Sequence, residues 1–517
     1  MLMGLALVHC ATSETVDDSP RDGGGAAGST ASADSGRDAT SARGGAGGWS
    51  GAAGSSGGQD ASWGDGRGGT SGSGGAGTTS GSGGAGASGG TGTSGSGGAA
   101  GESGSGGAGG ASRPDAGGDA TRADSGATCP GDGGGSFVDL AVQLGAPLDP
   151  SQSGSPVPGM SAPAGWHWYT IDGAVCRDGS PTGFYVRFGS SNRLLLYLEG
   201  GGACTSPGFC DHNPANLTQV FAAGGETVLG STFLLSGLQQ PGTLGIFDMN
   251  NAANPFKDWS QIYIPYCTGD VHFGTKRDAV VTGVAAKQQF VGYPNMQKFV
   301  ARIAPTFAGV ERVVLAGASA GGFGAGLNYG LVQDTFGKVP VYVLDDSGPP
   351  LSNKYLPSCL QKIWRETWGM DDAIPSDCAE CRQPDGSGLM EIVDYWRRKY
   401  PSGRVALVES VHDEVIRLFF SAGNDNCANS DPILLFLGTL TLTYDPNKFQ
   451  EGLLDLRARY ACTNQLATYF VSTLFNDTPH QQIFRDRFYQ PIANGSSVTV
   501  AQWVSDFLAG RMTHIGP

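Results

Sequence analysis

Residues 309–327 read GVERVVLAGASAGGFGAGL. A short apolar run, Val313-Val314-Leu315, meets Gly317-Ala318-Ser319-Ala320-Gly321 and then a series of small residues, which is the pattern of a buried strand, a sharp turn and a helix. On such a turn the serine takes up a strained backbone conformation, and glycines stand where strand and helix backbones crowd each other. Ser319 is therefore expected at the tip of a sheet strand; the competing reading is a glycine-rich packing turn. The five-residue pattern alone decides little, because 54–58 and 86–90 also match G-x-S-x-G. Only Ser319 has a strand before it and a plausible helix, 320–333, after it.

Composition divides the chain of 517 residues. Residues 13–135 hold 44 of the 86 glycines, with Ser, Ala and Thr and almost no large apolar side chains, so they cannot bury enough surface to offset chain entropy. This segment reads as a disordered tether, and 136–517 as one large folded domain. Both parts are acidic, with 6 Lys and Arg against 13 Asp and Glu up to residue 135 and 26 against 34 beyond it. No basic tract interleaved with aromatics occurs, which argues against a nucleic-acid partner. Residues 1–12 open with MLMGLALVHC, a short apolar stretch that reads as a secretory or lipoprotein signal with Cys10 as a possible lipid anchor, although it lacks a positive n-region.

Ten further cysteines follow Cys10, an even number that points to up to five disulfides in an exported, extracellular or surface-tethered protein. Cys204 with Cys210 is the pairing that is sterically easiest. Cys378-x-x-Cys381 lacks a second ligand pair nearby, so no metal site is expected.

Strands are expected at 183–188, 193–198, 261–265, 311–316, 339–344 and 404–409, the first two joined by the turn Gly-Ser-Ser-Asn. Helical patterns lie at 293–303, 320–333, 389–400, 413–420 and 498–508. Strands alternating with helices imply an α/β fold, a mostly parallel sheet covered on both faces, with its site at the carboxyl ends of the strands. The glycines after LLLYLE and the serine after RVVLAG both fall there.

A serine hydroxyl is a poor nucleophile until a base takes its proton. In the chain order serine, acid, histidine, the bases available are His412, His480 and His514. His412 adjoins Asp413, and adjacent side chains rarely face each other; His480 lies in the turn-like Asn-Asp-Thr-Pro-His; His514 stands in a tail that could fold back over the sheet edge or be an ordinary surface residue. For the acid, Asp413 follows the expected strand 404–409 and is preferred to Asp345 and Asp346, which could cap a turn or line the substrate pocket. Backbone N–H groups of Gly201, Gly202 and Ala320 could converge on the oxygen of a tetrahedral intermediate.

From about Trp166 onward the chain resembles the pectin acetylesterase family, which includes the Notum carboxylesterases. The likeness rests on CRDGSPTGFY from Cys176, LLYLEGGGAC ending at Cys204, IPYCTGDVH ending at His272, and GASAGG from Gly317. It implies an α/β-hydrolase-like fold, no metal or organic cofactor, and a triad of Ser319, Asp413 and His514, with Asp270 and His272 near substrate or ordering their own loop. Ala203 stands where the family usually has tryptophan, and His514 is followed by Ile-Gly-Pro. The expected activity is removal of a small acyl group, acetate above all, from a polysaccharide hydroxyl through an acyl-enzyme. The rivals are an esterase for longer acyl chains of lipids or acylated proteins, and an inactive carbohydrate-binding surface protein.

Overall fold

The computed structural model describes residues 143–149, 165–222, 226–227, 230–231, 244–428, 444–472 and 480–517. The expected signal segment 1–12 with Cys10, the tether 13–135, Cys129 and the serines of 54–58 and 86–90 lie outside the described residues.

Nine strands form the main sheet: β1 His167–Val175, β2 Pro181–Arg187, β3 Arg193–Leu198, β4 Ser260–Ile264, β5 Arg312–Ala318, β6 Val341–Asp346, β7 Arg404–Ser410, β8 Leu466–Val471 and β9 His514–Ile515. Their spatial order is β1-β2-β4-β3-β5-β6-β7-β8-β9. β1 with β2 and β2 with β4 pair antiparallel, and every other neighbouring pair is parallel. This is the α/β-hydrolase sheet. β2 and β3, the two strands joined by Gly-Ser-Ser-Asn, do not pair with each other, because β4 inserts between them. β4 is buried at all five positions, and a central place in the sheet is what buries both its faces.

Alternation along the strands separates two apolar layers. Leu194, Leu196, Leu198, Val313, Leu315, Val341 and Val343 face one layer; Leu195, Tyr197, Val314, Ala316, Tyr342 and Leu344 face the other. The first layer is covered by α1 Gly292–Thr306, α2 Ala320–Phe336, α3 Ser358–Trp368, α4 Glu391–Lys399, α5 Glu414–Ser421 and α6 Pro446–Arg459. The second is closed by α7 Val500–Leu508, through Val500, Trp503, Val504 and Phe507, together with Phe247, Phe256 and Trp259.

Disulfides join Cys176 to Cys267, Cys204 to Cys210, Cys359 to Cys427 and Cys378 to Cys381. The Cys204–Cys210 pairing is the one expected from spacing, and Cys378 with Cys381 closes on itself.

Strand β5 and helix α2 cross with almost no space between them. A Cβ on Gly317 would lie 2.0 Å from the Gly321 carbonyl oxygen, and one on Gly321 would lie 2.0 Å from the Leu198 carbonyl oxygen. Backbone atoms cannot yield as a side-chain tip would, so Gly321→Ala is expected to lower stability by about 3 kcal/mol. Gly309→Ala, where a Cβ meets nothing within 4 Å, is expected to stay within about 0.5 kcal/mol of the parent. Urea unfolding of the two variants beside the parent checks both.

Candidate active site

Ser319 sits at the junction of β5 and α2 with φ 56° and ψ −120°, a conformation that L-residues rarely adopt. Its N–H donates to the Asp346 carbonyl at 2.7 Å, and its own carbonyl accepts from Phe323 N–H at 3.1 Å. The strain of the turn is thus held by hydrogen bonds on both sides. Gly200 presses on it from the segment after β3: a Cβ there would lie 3.0 Å from Ser319 Cβ and 2.8 Å from Gln481 Nε2. The side chain following His480 and the side chain of Ser319 therefore share one glycine.

Asp413 caps α5, accepting at Oδ1 from Ile416 N–H at 2.9 Å. Its Oδ2 lies 2.6 Å from His480 Nδ1. Both side chains are buried. A carboxylate only accepts, so Nδ1 carries the hydrogen that it donates to Asp413. His480 Nε2 is buried and has no hydrogen-bond partner in the structure. Burial first, and then the neighbouring Asp413, hold Glu409 well above the usual carboxylate range, which places a neutral acid beside the Asp413 carboxylate.

His514 is placed elsewhere. It forms β9, pairs with Thr468 of β8, and brings its Nδ1 to 3.0 Å from Thr468 Oγ1. The chain tail adds an edge strand instead of returning over the serine, and Asp413 is already engaged by His480. Strand β8, the run LATYFV, is the signal that points to His480, since the loop after it is where a base belongs in this sheet order.

Asp346, considered as a substrate contact, is fully buried and occupied. Its Oδ2 accepts from Gln482 N–H at 2.6 Å and Ile483 N–H at 2.8 Å; its Oδ1 accepts from Ser347 Oγ, which in turn accepts from Gln481 N–H at 3.0 Å. Through these bonds one side chain fastens the loop that carries His480.

The glycine segment after β3 runs in extended and left-handed backbone, with φ 154° at Gly201 and 80° at Gly202. A Cβ on Gly201 would meet Tyr266 Cδ1 at 3.0 Å. Asn213 Nδ2 donates to the Gly201 carbonyl at 2.8 Å, and Trp368 Nε1 donates to the Cys204 carbonyl at 2.8 Å. Gly202 and Ala320 line the same pocket as Ser319. Asp270 and His272 lie behind this segment and are tied into it. Asp270 accepts from Thr268 Oγ1 at 2.6 Å and Gly292 N–H at 2.7 Å, while His272 Nε2 donates to the Glu199 carbonyl at 2.8 Å. Burial pushes His272 down to about 4 and it is neutral. The hydrogen bonds of both residues are made to their own loop, to the start of α1 and to Glu199.

The pocket beside Ser319 has an empty volume of about 440 Å³, part of it open to solvent. Its walls include Ala203, Phe323, Trp364, Trp368, Met390 and Phe419, an apolar lining broken only by the serine and backbone groups. Among the described residues no cluster of side chains is arranged to hold a metal ion.

A serine on the turn after β5, a carboxylate after β7 and a histidine after β8 define the class: an α/β hydrolase with a nucleophile elbow. Residues 167–388 match the family model described as Pectinacetylesterase. Over 193 residues the chain is 31% identical to the human palmitoleoyl-protein carboxylesterase NOTUM, covering 35% of this chain and 35% of that protein. Over 225 residues it is 27% identical to the Drosophila melanogaster NOTUM, covering 40% and 31%. The chain thus spans about a third of the length of the curated relatives it matches. A solved structure of the Wnt deacylase Notum from Drosophila aligns with a TM-score of 0.46 at 18% identity, over 67% of this chain and 95% of that one. Through this region the chain is similar to the pectinacetylesterases and to the Notum carboxylesterases.

Glu199, buried at the start of the glycine segment, accepts from Tyr266 N–H at 2.8 Å, and burial pushes its carboxyl up to about 7 from 4.5. The folded protein therefore holds this proton more tightly than the unfolded chain does. The stability it contributes is full below about pH 4.5 and is lost as the pH rises through about 7. Gln keeps the acceptor and cannot ionise. Glu199→Gln is expected to gain stability relative to the parent between pH 5 and pH 8, by up to about 3 kcal/mol. Urea unfolding of both proteins at the two pH values reads the difference.

Proposed function

We propose that the protein is an exported serine carboxylesterase in which Ser319 is the nucleophile, His480 the base and Asp413 the carboxylate that orients it. The observation that carries this reading is the 2.6 Å pairing of Asp413 with His480 Nδ1, at the start of a loop that Asp346 ties to the strained Ser319 turn. Ser319 Oγ attacks the ester carbonyl carbon while His480 Nε2 takes the hydroxyl proton. The oxyanion that forms is met by backbone N–H groups of Gly201, Gly202 and Ala320. Collapse breaks the bond to the leaving alcohol, which takes the proton from His480, and the acyl group remains on Ser319. A water then repeats the sequence, giving its proton to His480 and releasing the carboxylic acid.

The substrate in this reading is a short acyl ester, acetate foremost, on a polysaccharide hydroxyl. Its support is the match to the Pectinacetylesterase family and a pocket whose walls are filled by Phe323, Trp368 and Met390. A second reading, a longer acyl chain on a lipid or protein, is favoured by the apolar character of that lining and by the palmitoleoyl-protein carboxylesterases among the relatives. Export is supported by the disulfides, and an anchor at Cys10 would place the domain at a cell surface on a tether.

Initial rates on nitrophenyl acetate, with the full chain, test the assignment. Ser319→Ala and His480→Ala are each expected to lose at least about 10³-fold in kcat, and Asp413→Asn about 10⁴-fold. His514→Ala is expected to stay within about threefold of the parent, since surface substitutions away from the chemistry are felt little. Loss of activity in His514→Ala with full activity in His480→Ala would reverse the choice of base. A folded parent that cleaves no ester, or matches Ser319→Ala, would remove the esterase reading. Acetate release from acetylated pectin and xylan then separates the two substrate classes.

A further inference from the structure

Two cavities share two side chains. The first is the apolar pocket containing Ser319, Ala203 and Trp368. The second, with an empty volume of about 580 Å³, lies between α2, α4 and strands β6 and β7, where Gly326, Val343, Trp396 and Val405 are among its walls. Phe323 and Met390 line both. Phe323 stands in the first turn of α2, four residues after Ser319, and its N–H is bonded to the Ser319 carbonyl. Its ring packs edge-on against Trp364, with centroids 6.3 Å apart, and is 8% exposed. It is held in place from both ends. The space beyond is open at Gly326, where a Cβ would meet nothing nearer than Val393 Cγ2 at 3.7 Å.

We propose that Phe323, backed by Met390, sets the acyl-chain length this enzyme accepts. The ring is the end wall of the Ser319 pocket, and the cavity under α2 is the space that a longer chain would enter if the wall were removed. This rests on the reading of Ser319 as the residue that carries the acyl group. With the ring in place the pocket ends after a few carbons. With the ring gone, each methylene that passes into the second cavity leaves water, worth about fourfold in kcat/KM.

The test is the kcat/KM profile of the full chain on nitrophenyl esters from acetyl to dodecanoyl, for the parent, Phe323→Ala, Phe323→Leu and Met390→Ala. The parent is expected to fall off beyond about butyryl to hexanoyl. In Phe323→Ala the ratio of octanoyl to acetyl activity is expected to rise at least tenfold, with a smaller rise in the other two; the leucine variant keeps most of the buried volume and serves if the alanine variant does not fold. An unchanged ratio, within twofold, in the folded variants overturns the proposal while leaving the esterase in place. So does a parent that already prefers octanoyl and longer esters, because its ring would then close nothing. A parent that cleaves none of the esters overturns the esterase reading, and this inference with it.

Discussion

Asp346 touches both halves of the candidate site. Its carbonyl accepts the N–H of Ser319, and its carboxylate accepts the N–H groups of Gln482 and Ile483 in the loop that begins at His480. It can do so because β6 lies between β5 and β7, so its carboxyl end is within reach of the serine turn on one side and the histidine loop on the other. Burial costs a carboxylate several kcal/mol unless donors surround it, and here backbone N–H groups and Ser347 supply them. Burial still pushes its carboxyl up to about 6, so the tie is between a charged acceptor and fixed dipoles at neutral pH. Two segments far apart in sequence are brought to one geometry by a single residue that never needs to meet substrate.

The parts of this arrangement that repeat locally could be read from the chain. The β5 turn announced itself through Val313-Val314-Leu315 and the glycines at 317 and 321, because steric crowding there leaves no other residue possible. The glycine segment at Gly201 and Gly202 and the carboxylate at Asp413 followed from the ends of strands whose apolar runs are continuous. What escaped was set by pairing across the sheet. β1 and β8 were not anticipated, and with β8 unread His480 had no strand to follow, while His514 offered a free tail. The insertion of β4 between β2 and β3 is likewise a matter of which edge finds which, and no periodicity within either strand encodes it. Asp346 was noticed for its charge and its place after a strand, but its partners come from a loop more than a hundred residues away.

The glycine segment is braced by a different means. Arg177, itself buried, donates to the carbonyls of Cys210 and Asn213 at 2.9 and 2.5 Å and to Gln288 Oε1 at 2.6 Å. Asn213 then holds the Gly201 carbonyl, and His272 and Tyr266, both bonded to Glu199, pack against each other tilted, with ring centroids 4.7 Å apart. Donors placed in this way need no reorganisation when charge develops on a bound carbonyl. The same packing explains why Ala203 is tolerated beside the glycines: the wall is completed from other elements, by Trp368 of α3 and Phe419 of α5.

Two of the four described disulfides, Cys176–Cys267 and Cys204–Cys210, bracket this segment, one fastening the chain before it to the loop that supports it and the other closing its far end. Their formation fixes where the glycines sit, and the hydrogen bonds of Arg177 come to the same short stretch. Assembly of this end of the sheet is therefore coupled to oxidation: a chain held in a thiol-reducing compartment lacks both clasps, and the segment is set only once the chain has reached surroundings that oxidise them. The order of assembly at this end of the sheet is in this way tied to the covalent frame of the fold.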